Sequence, residues 1–322
     1  MKNLLFFICI LLFTSCTTEK KLEPVTVLLE WYPNAIHSFI YVAKEKGFFK
    51  EEGLDVEILL PSGSNDSIIF TAAGKVDIGF YYMNQLILQK TEQNIPVSSI
   101  GAVSQESLSV FIAPKDKKIM SPKDFENKKI GYSGEPLSEM KIRKLVKDNG
   151  GDEKTVQLVD VGFDLITAMV TGKVDVTHGG YRHHEVPVLE SKGIEVNYFS
   201  AAQYGEPGEY ETILISGDET IKNKPETLKK FLRAAKKGFN YVKKHPKEAI
   251  DITFSNQSLE NFPLDKNVEI KSLDTLIPLM ESENQEFLSQ EKELYKQRIE
   301  WLYKEKMIKK KFDADFYFKN LI

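Results

Sequence analysis

The stretch from Leu28 to Leu60 constrains this chain more than any other. An apolar, β-branched run, Val25-Thr26-Val27-Leu28-Leu29, leads straight into Glu30-Trp31-Tyr32-Pro33-Asn34 and then His37. Pro33 turns the chain into an amphipathic helix closing on Gly47-Phe48-Phe49, and a second β-rich run covers residues 56–60. Strand, helix and strand in this order read as a parallel βαβ unit. Its aromatic, amide and imidazole groups then stand at the carboxyl end of a strand, where open α/β sheets bind small ligands. A single aromatic there would fill a core. The whole Trp-Tyr-Pro-Asn-x-x-His cluster at a strand-to-helix turn points instead to a ligand site.

The alternation continues. Strands are expected at 25–29, 56–60, 76–80, 97–103 and 109–113, with helices at 37–46, 66–73 and 83–90. A second series opens at Ser121-Pro122-Lys123-Asp124, where Ser121 can cap a helix and Pro122 suits its first turn. Strands at 129–132, 156–159, 174–177 and 195–199 follow, separated by helices at 138–148, 165–171 and 184–192. The two series share an echo, Gly74-Lys75-Val76-Asp77 and Gly172-Lys173-Val174-Asp175, each a glycine-stopped helix followed at once by a strand.

After Tyr210 one more strand, 212–216, precedes an almost wholly helical tail. Its long helix puts Leu228, Phe231, Leu232, Ala235, Phe239 and Val242 on one face. Such faces need a sheet to cover, so the chain is expected to return to the first lobe. At 322 residues two lobes are the natural division. The expected α/β architecture has a discontinuous lobe (24–112 and 212–322), a continuous lobe (113–211) and two crossing strands near 111–114 and 211–215. A cleft on two hinges is the geometry of ligand closure.

The amino terminus is different. Lys2, the apolar run 4–13 and Thr14-Ser15-Cys16 read as a signal peptide, 1–15, ending in a bacterial lipoprotein cleavage box with Phe13 where leucine is usual. Cys9 would leave with it, so Cys16 is expected to carry a lipid and 16–23 to form a tether in the cell envelope, facing periplasm or exterior. A net charge of −4 gives no sequence-wide reason to bind nucleic acid.

Further polar groups follow other strands. Phe80-Tyr81-Tyr82-Met83-Asn84-Gln85 and Gly131-Tyr132-Ser133-Gly134-Glu135-Pro136-Leu137-Ser138 both end strands at helix starts. In His178-Gly179-Gly180-Tyr181-Arg182-His183-His184-Glu185 the histidines invite a metal reading, but no HExxH spacing exists and no metal is expected. If Tyr181 opens the helix, Glu185 lies one turn along on its face, an arrangement suited to a flat, nitrogen-rich heterocycle. The loop from Gln203 to Glu211, rich in glycine and proline, reads as hinge, ligand contact or both. There is no G-x-S-x-G elbow and no phosphate-binding loop, and the mature chain's lone cysteine is terminal. Aromatic, amide and carboxylate groups without a catalytic constellation describe a binding protein with no cofactor.

At these residues the chain resembles the thiamine-precursor branch of the bacterial ABC-transporter substrate-binding proteins, whose superfamily includes the fungal pyrimidine-precursor synthase. The resemblance rests on Leu29-Glu30-Trp31-Tyr32-Pro33-Asn34-x-x-His37, Tyr41-Val42-Ala43-Lys44-Glu45-Lys46-Gly47-Phe48-Phe49, Gly74-Lys75-Val76-Asp77, Lys129-Ile130-Gly131-Tyr132, Tyr181-x-x-His184-Glu185 and Tyr204-Gly205-x-Pro207. It implies a type II periplasmic-binding-protein fold, a monomer that captures a hydroxymethyl- or formylamino-pyrimidine and delivers it to an ABC permease and its ATPase. It also implies that Trp31, Asn34 and Tyr181 frame the ring and Glu185 reads its amino edge, with His37, Tyr81 and Tyr210 as further contacts.

Relatives in this branch often read Tyr-Trp-Asn-His-Glu where this chain has Tyr181-Arg182-His183-His184-Glu185, which exchanges an aromatic wall for a cation. Riboflavin or a sulfonate therefore remains an alternative ligand, and an exported pyrimidine-processing enzyme the alternative class. The synthase's cofactor-holding lysine and consumed histidine correspond here to Tyr81 and Gln85, and its cysteine-rich iron-binding run has no counterpart. A Schiff base needs an amine and iron needs ligands, so the resemblance implies capture rather than synthesis.

Overall fold

In the computed structural model, which describes residues 21–134, 136–257 and 264–322, Val25 and Val27 are buried and set strand β1 (Glu23–Leu28) inside a sheet. The expected signal peptide, Cys16 and residues 16–20 of the tether lie outside the described residues. On one side β1 pairs in parallel with β2 (Leu54–Leu59), and on the other with β3 (Ile78–Tyr82). Strand β4 (Val97–Ala102) closes the far edge through an antiparallel strand from late in the chain, Thr212–Gly217, the tenth in order and hence β10. The sheet order is β2-β1-β3-β10-β4.

The second sheet repeats this plan. It consists of β5 (Ser109–Pro114), β6 (Lys129–Tyr132), β7 (Gln157–Asp160), β8 (Val176–Tyr181) and β9 (Val196–Phe199), in the order β7-β6-β8-β5-β9. Its parallel trio is β7, β6 and β8, and β5 runs antiparallel between β8 and β9. The sequence echo has a structural counterpart. The Asp77 carboxylate accepts the backbone N–H of Thr26 at 2.9 Å, and that of Asp175 accepts the N–H of Lys129 at 3.0 Å. Each aspartate fastens the entry of its strand to the first strand of its own trio. Gly74 and Gly172 both turn with positive φ, +65° and +70°.

The chain crosses from the first sheet to the second between β4 and β5 and returns between β9 and β10. Oε2 of Glu211 ties the two crossings together, accepting from Ser107 Oγ at 2.9 Å and from the N–H groups of Leu108 and Ser109, each at 3.1 Å. The helical tail covers the first sheet as its apolar face requires. Leu228, Phe231, Leu232, Ala235, Phe239 and Val242 are all buried on helix Pro225–Lys244, and Phe231 stacks on Phe49 at 5.0 Å. This helix lies so close to helix Ser38–Glu45 that a Cβ on Gly238 would meet the Phe39 carbonyl oxygen at 2.2 Å.

Two strands run further than their apolar patterns suggest. Strand β3 continues to Tyr82 because β10 pairs Ile213 with Tyr81 and Thr212 with Tyr82. Likewise β8 continues to Tyr181 because β5 pairs Val110 with Gly180 and Ser109 with Tyr181. Tyr181 therefore ends a strand instead of opening a helix, and the helix begins at Glu185.

Candidate ligand site

The turn after β1 is built on its own polar groups. Asn34 Oδ1 accepts the Ile36 N–H at 3.1 Å, while His37 Nδ1 accepts the Asn34 N–H at 3.2 Å. The proton of His37 then sits on Nε2, which faces Glu30 Oε2 at 3.1 Å. This buried pair fixes the turn from behind and presents Trp31 and Asn34 forward. Trp31 packs against Phe163 of the second lobe with ring centroids 4.1 Å apart, and Tyr32 meets the same ring at 5.7 Å.

The facing turn follows β8. Glu185 Oε2 accepts the Tyr181 N–H at 2.6 Å, and Oε1 lies 3.0 Å from His184 Nδ1. The far nitrogen of His184 lies 3.3 Å from Glu269 Oε1 on helix Lys266–Met280, and Glu269 Oε2 accepts the Ala35 N–H at 2.8 Å. A chain of contacts thus runs from the second lobe's turn to the first. Burial alone would lower the pKa of His184, but the carboxylates of Glu185 and Glu269 outweigh it and hold the imidazole well above its ordinary range. Burial, followed by the His184 charge, holds neighbouring His183 well below that range.

Between the turns lies a cavity of about 20 Å³, lined by Trp31, Asn34, Tyr82, Ser133, Tyr181 and Glu185 among others. A second, of about 50 Å³, shares Tyr82, Gly179 and Tyr181 with it and adds Gln85, Lys141, His178 and Glu211. A water's share of liquid volume is about 30 Å³, so neither cavity has room for a heterocycle in this conformation. A much larger groove, about 860 Å³, lies on the outer side beside Gly205, Pro207 and helix Lys292–Lys304. It is wide and shallow, carries several lysines and glutamates, and lacks the strand-end groups.

Burial and the charged neighbours shape the second cavity's electrostatics. Burial works against the Lys141 charge, but Glu206 at 2.7 Å and Glu209 at 3.7 Å raise its pKa above the usual lysine range. Arg298 reaches the same two carboxylates from helix Lys292–Lys304 and donates to Asn84 Oδ1 at 2.6 Å. Glu206, despite burial, is held down to about 2 by Lys141 and Arg298. Glu211 is pushed up to about 7, first by burial and then by Glu209. His178 is pushed down to about 3, first by burial and then by Lys141. Among the described residues no group of three His, Cys, Asp or Glu side chains is arranged to hold a metal ion.

Of the residues singled out in the sequence, Trp31, Asn34, Tyr181 and Glu185 line the smaller cavity together. His37 stands behind the first turn as its support. Tyr81 is fully buried away from the cleft, bonding Asn65 Oδ1 at 3.0 Å and Gln89 Nε2 at 2.6 Å. Tyr210 is also fully buried, and its hydroxyl accepts the Glu291 N–H at 2.8 Å. Tyr82, His184 and Gln85 lie inside motifs already noted, and the strand register distinguishes Tyr82 from Tyr81. Phe163 and Glu269 carry no local signal.

Two hinged α/β lobes whose strand ends face each other across a cleft form a ligand-binding fold of the periplasmic-binding-protein type. The chain belongs to the NMT1/THI5-like family, whose model matches residues 34–249. It is 38% identical over 308 residues to the formylaminopyrimidine-binding protein of Halalkalibacterium halodurans, covering 94% of this chain and 92% of that one. With the 4-amino-5-hydroxymethyl-2-methylpyrimidine phosphate synthase THI5 of Saccharomyces cerevisiae it shares 30% identity over 241 residues, 70% of this chain and 69% of the yeast protein. Among solved structures, the alkanesulfonate-binding protein SsuA from Xanthomonas axonopodis pv. citri matches with a TM-score of 0.70 at 10% identity, over 91% of this chain and 96% of that one. At that identity the likeness concerns the fold alone.

Proposed function

We propose that this protein is the extracytoplasmic binding component of an ABC importer, capturing an aminopyrimidine precursor of thiamine and delivering it to the permease and its ATPase. The observation that carries this reading is the meeting of Trp31 and Asn34 from one lobe with Tyr181 and Glu185 from the other around one cavity. A formylaminopyrimidine-binding relative alignable over nearly the whole chain supports the choice of ligand. In this reading the ring stacks on Trp31 and Tyr181, and Glu185 and Asn34 take its polar edge. The lobes divide at 24–112 with 212–322 and at 113–211, the protein acts as a monomer, and a lipid on Cys16 holds it at the membrane through the 16–23 tether.

Capture is favoured over synthesis by what stands at the synthase's reactive positions. Tyr81 has no amine to form a Schiff base, and Gln85 has no imidazole. Calorimetry with hydroxymethylpyrimidine, its formylamino relative, thiamine, riboflavin and taurine tests the assignment. One of the two pyrimidine precursors is expected to bind most tightly; no heat with either, or preference for riboflavin or taurine, overturns the reading.

A further inference from the structure

The cavity beyond Tyr82 and Tyr181 is more polar than its role as spare volume would require. We propose that it is a side-arm subsite, in which Gln85 and His178 read an amide-like substituent carried by the ring. The assignment rests on the pyrimidine reading above and adds to it the feature that distinguishes one precursor from another.

The first observation is contiguity. The subsite shares Tyr82, Gly179 and Tyr181 with the ring cavity, so the two adjoin, and a substituent on a ring beside Tyr181 is within reach of it. The second is size. About 50 Å³ is room for between one and two waters, at about 30 Å³ each, which suits the polar end of a short substituent and excludes a second ring.

The third is unused hydrogen-bonding capacity. Gln85 Oε1, His178 Nδ1 and Ser109 Oγ are buried and have no hydrogen-bond partner among the described residues, and all three residues line this cavity. Gln85 is 5% and His178 6% exposed, so solvent does little to satisfy either in the closed arrangement. A buried polar atom left unmade costs stability, which a ligand supplying the missing partner returns as affinity.

The chemistry of these atoms selects the arm. Gln85 Oε1 is an acceptor and calls for a donor. His178, a neutral imidazole wedged 4.5 Å from the Phe111 ring, offers donor or acceptor at Nδ1 according to its tautomer. The Lys141 ammonium, whose charge is balanced by Glu206 and Glu209, is a donor on the same wall. A formamide arm supplies both an N–H for Gln85 and a carbonyl for His178 or Lys141. A hydroxymethyl arm has one oxygen for all of them, and a methyl arm has nothing.

Calorimetry with three ligands tests this: the formylamino-pyrimidine, the hydroxymethyl-pyrimidine and 4-amino-2,5-dimethylpyrimidine, which keeps the ring and lacks the polar arm. The wild type is expected to bind the formylamino compound at least tenfold more tightly than the dimethyl compound. Gln85→Leu, and separately the more shape-conserving Gln85→Met, are expected to lose about tenfold for the formylamino compound and to stay within about twofold for the dimethyl one, whose binding also reports an intact fold. Equal losses for both ligands, no loss for either, or a wild type indifferent to the arm overturns the subsite and leaves the ring reading standing. A wild type that binds none of the three overturns both.

Discussion

His184 Nε2 lies 3.3 Å from Glu269 Oε1, and this ion pair joins the turn after β8 in the second lobe to the helix that supports the Trp31–Asn34 turn in the first. Both residues are buried, and Glu185 holds the other side of the imidazole. His183, His37 and Arg182 bring positive or neutral nitrogen groups to the same region, so the two carboxylates are what keep His184 charged.

Its pH dependence has a definite sign. His184 has a raised folded pKa, so its stabilising contribution is whole below the unfolded value, about 6.5, and is lost as pH rises through the raised folded value. Thermal unfolding of the wild type and His184→Gln across pH should show the widest gap near pH 6 and a narrowing one under alkaline conditions. A constant gap would mean that His184 is not charged in the folded protein.

Glu185→Gln should act on two partners. It removes a charged acceptor from the cleft and leaves His184 with one carboxylate instead of two. Hydrogen bonds to charged groups contribute about 1.5–3 kcal/mol, so affinity for an aminopyrimidine should fall at least tenfold in a calorimetric titration. Unchanged affinity would remove Glu185 from ligand contact and leave it as the anchor of the Tyr181 N–H.

The chain has two tryptophans, and only Trp31 lines the cleft; Trp301 lies on the outer groove, its ring 4.5 Å from the Arg298 guanidinium. Ligand-induced fluorescence change should therefore survive Trp301→Phe and disappear in Trp31→Phe. A signal that follows Trp301 instead would place the ligand, or the motion it causes, at the outer groove.

Arg298 is fully buried and pairs with Glu206 and Glu209 of the loop between the lobes. Replacing a buried ion pair with apolar groups is often neutral, but removing one partner strands the other charge and costs about 3–5 kcal/mol. Arg298→Met should lower the denaturant midpoint accordingly, and Glu206→Gln in that background should recover part of the loss. An additive double variant would indicate that the two side chains do not depend on each other.

Much of this architecture could be read in advance because it is written locally. Each trio of parallel strands follows from β-branched runs between capped helices, and the Gly-Lys-Val-Asp echo marks the same position in both sheets. Trp31, Asn34, Tyr181 and Glu185 sit in turns whose composition no core requires. Tyr81 and Tyr82 could not be told apart without register, because neighbouring strand residues point to opposite faces and β10 decides where the strand ends. Tyr210 carries the same ambiguity, resolved by a backbone N–H from Glu291, 81 residues away. Phe163 and Glu269 reach the cleft only through packing of distant segments, so no short motif contains them.

The grip of Glu211 on both crossings has a mechanical consequence. One carboxylate oxygen fastens Ser107, Leu108 and Ser109 to the start of the returning strand, so the two connections behave as a single axle. Sliding one past the other would break three hydrogen bonds at once, whereas turning about their common line breaks none. Swinging is therefore the soft direction and shearing the stiff one. Glu211 also lines the cavity beside Gln85, so the pivot and that cavity share a wall.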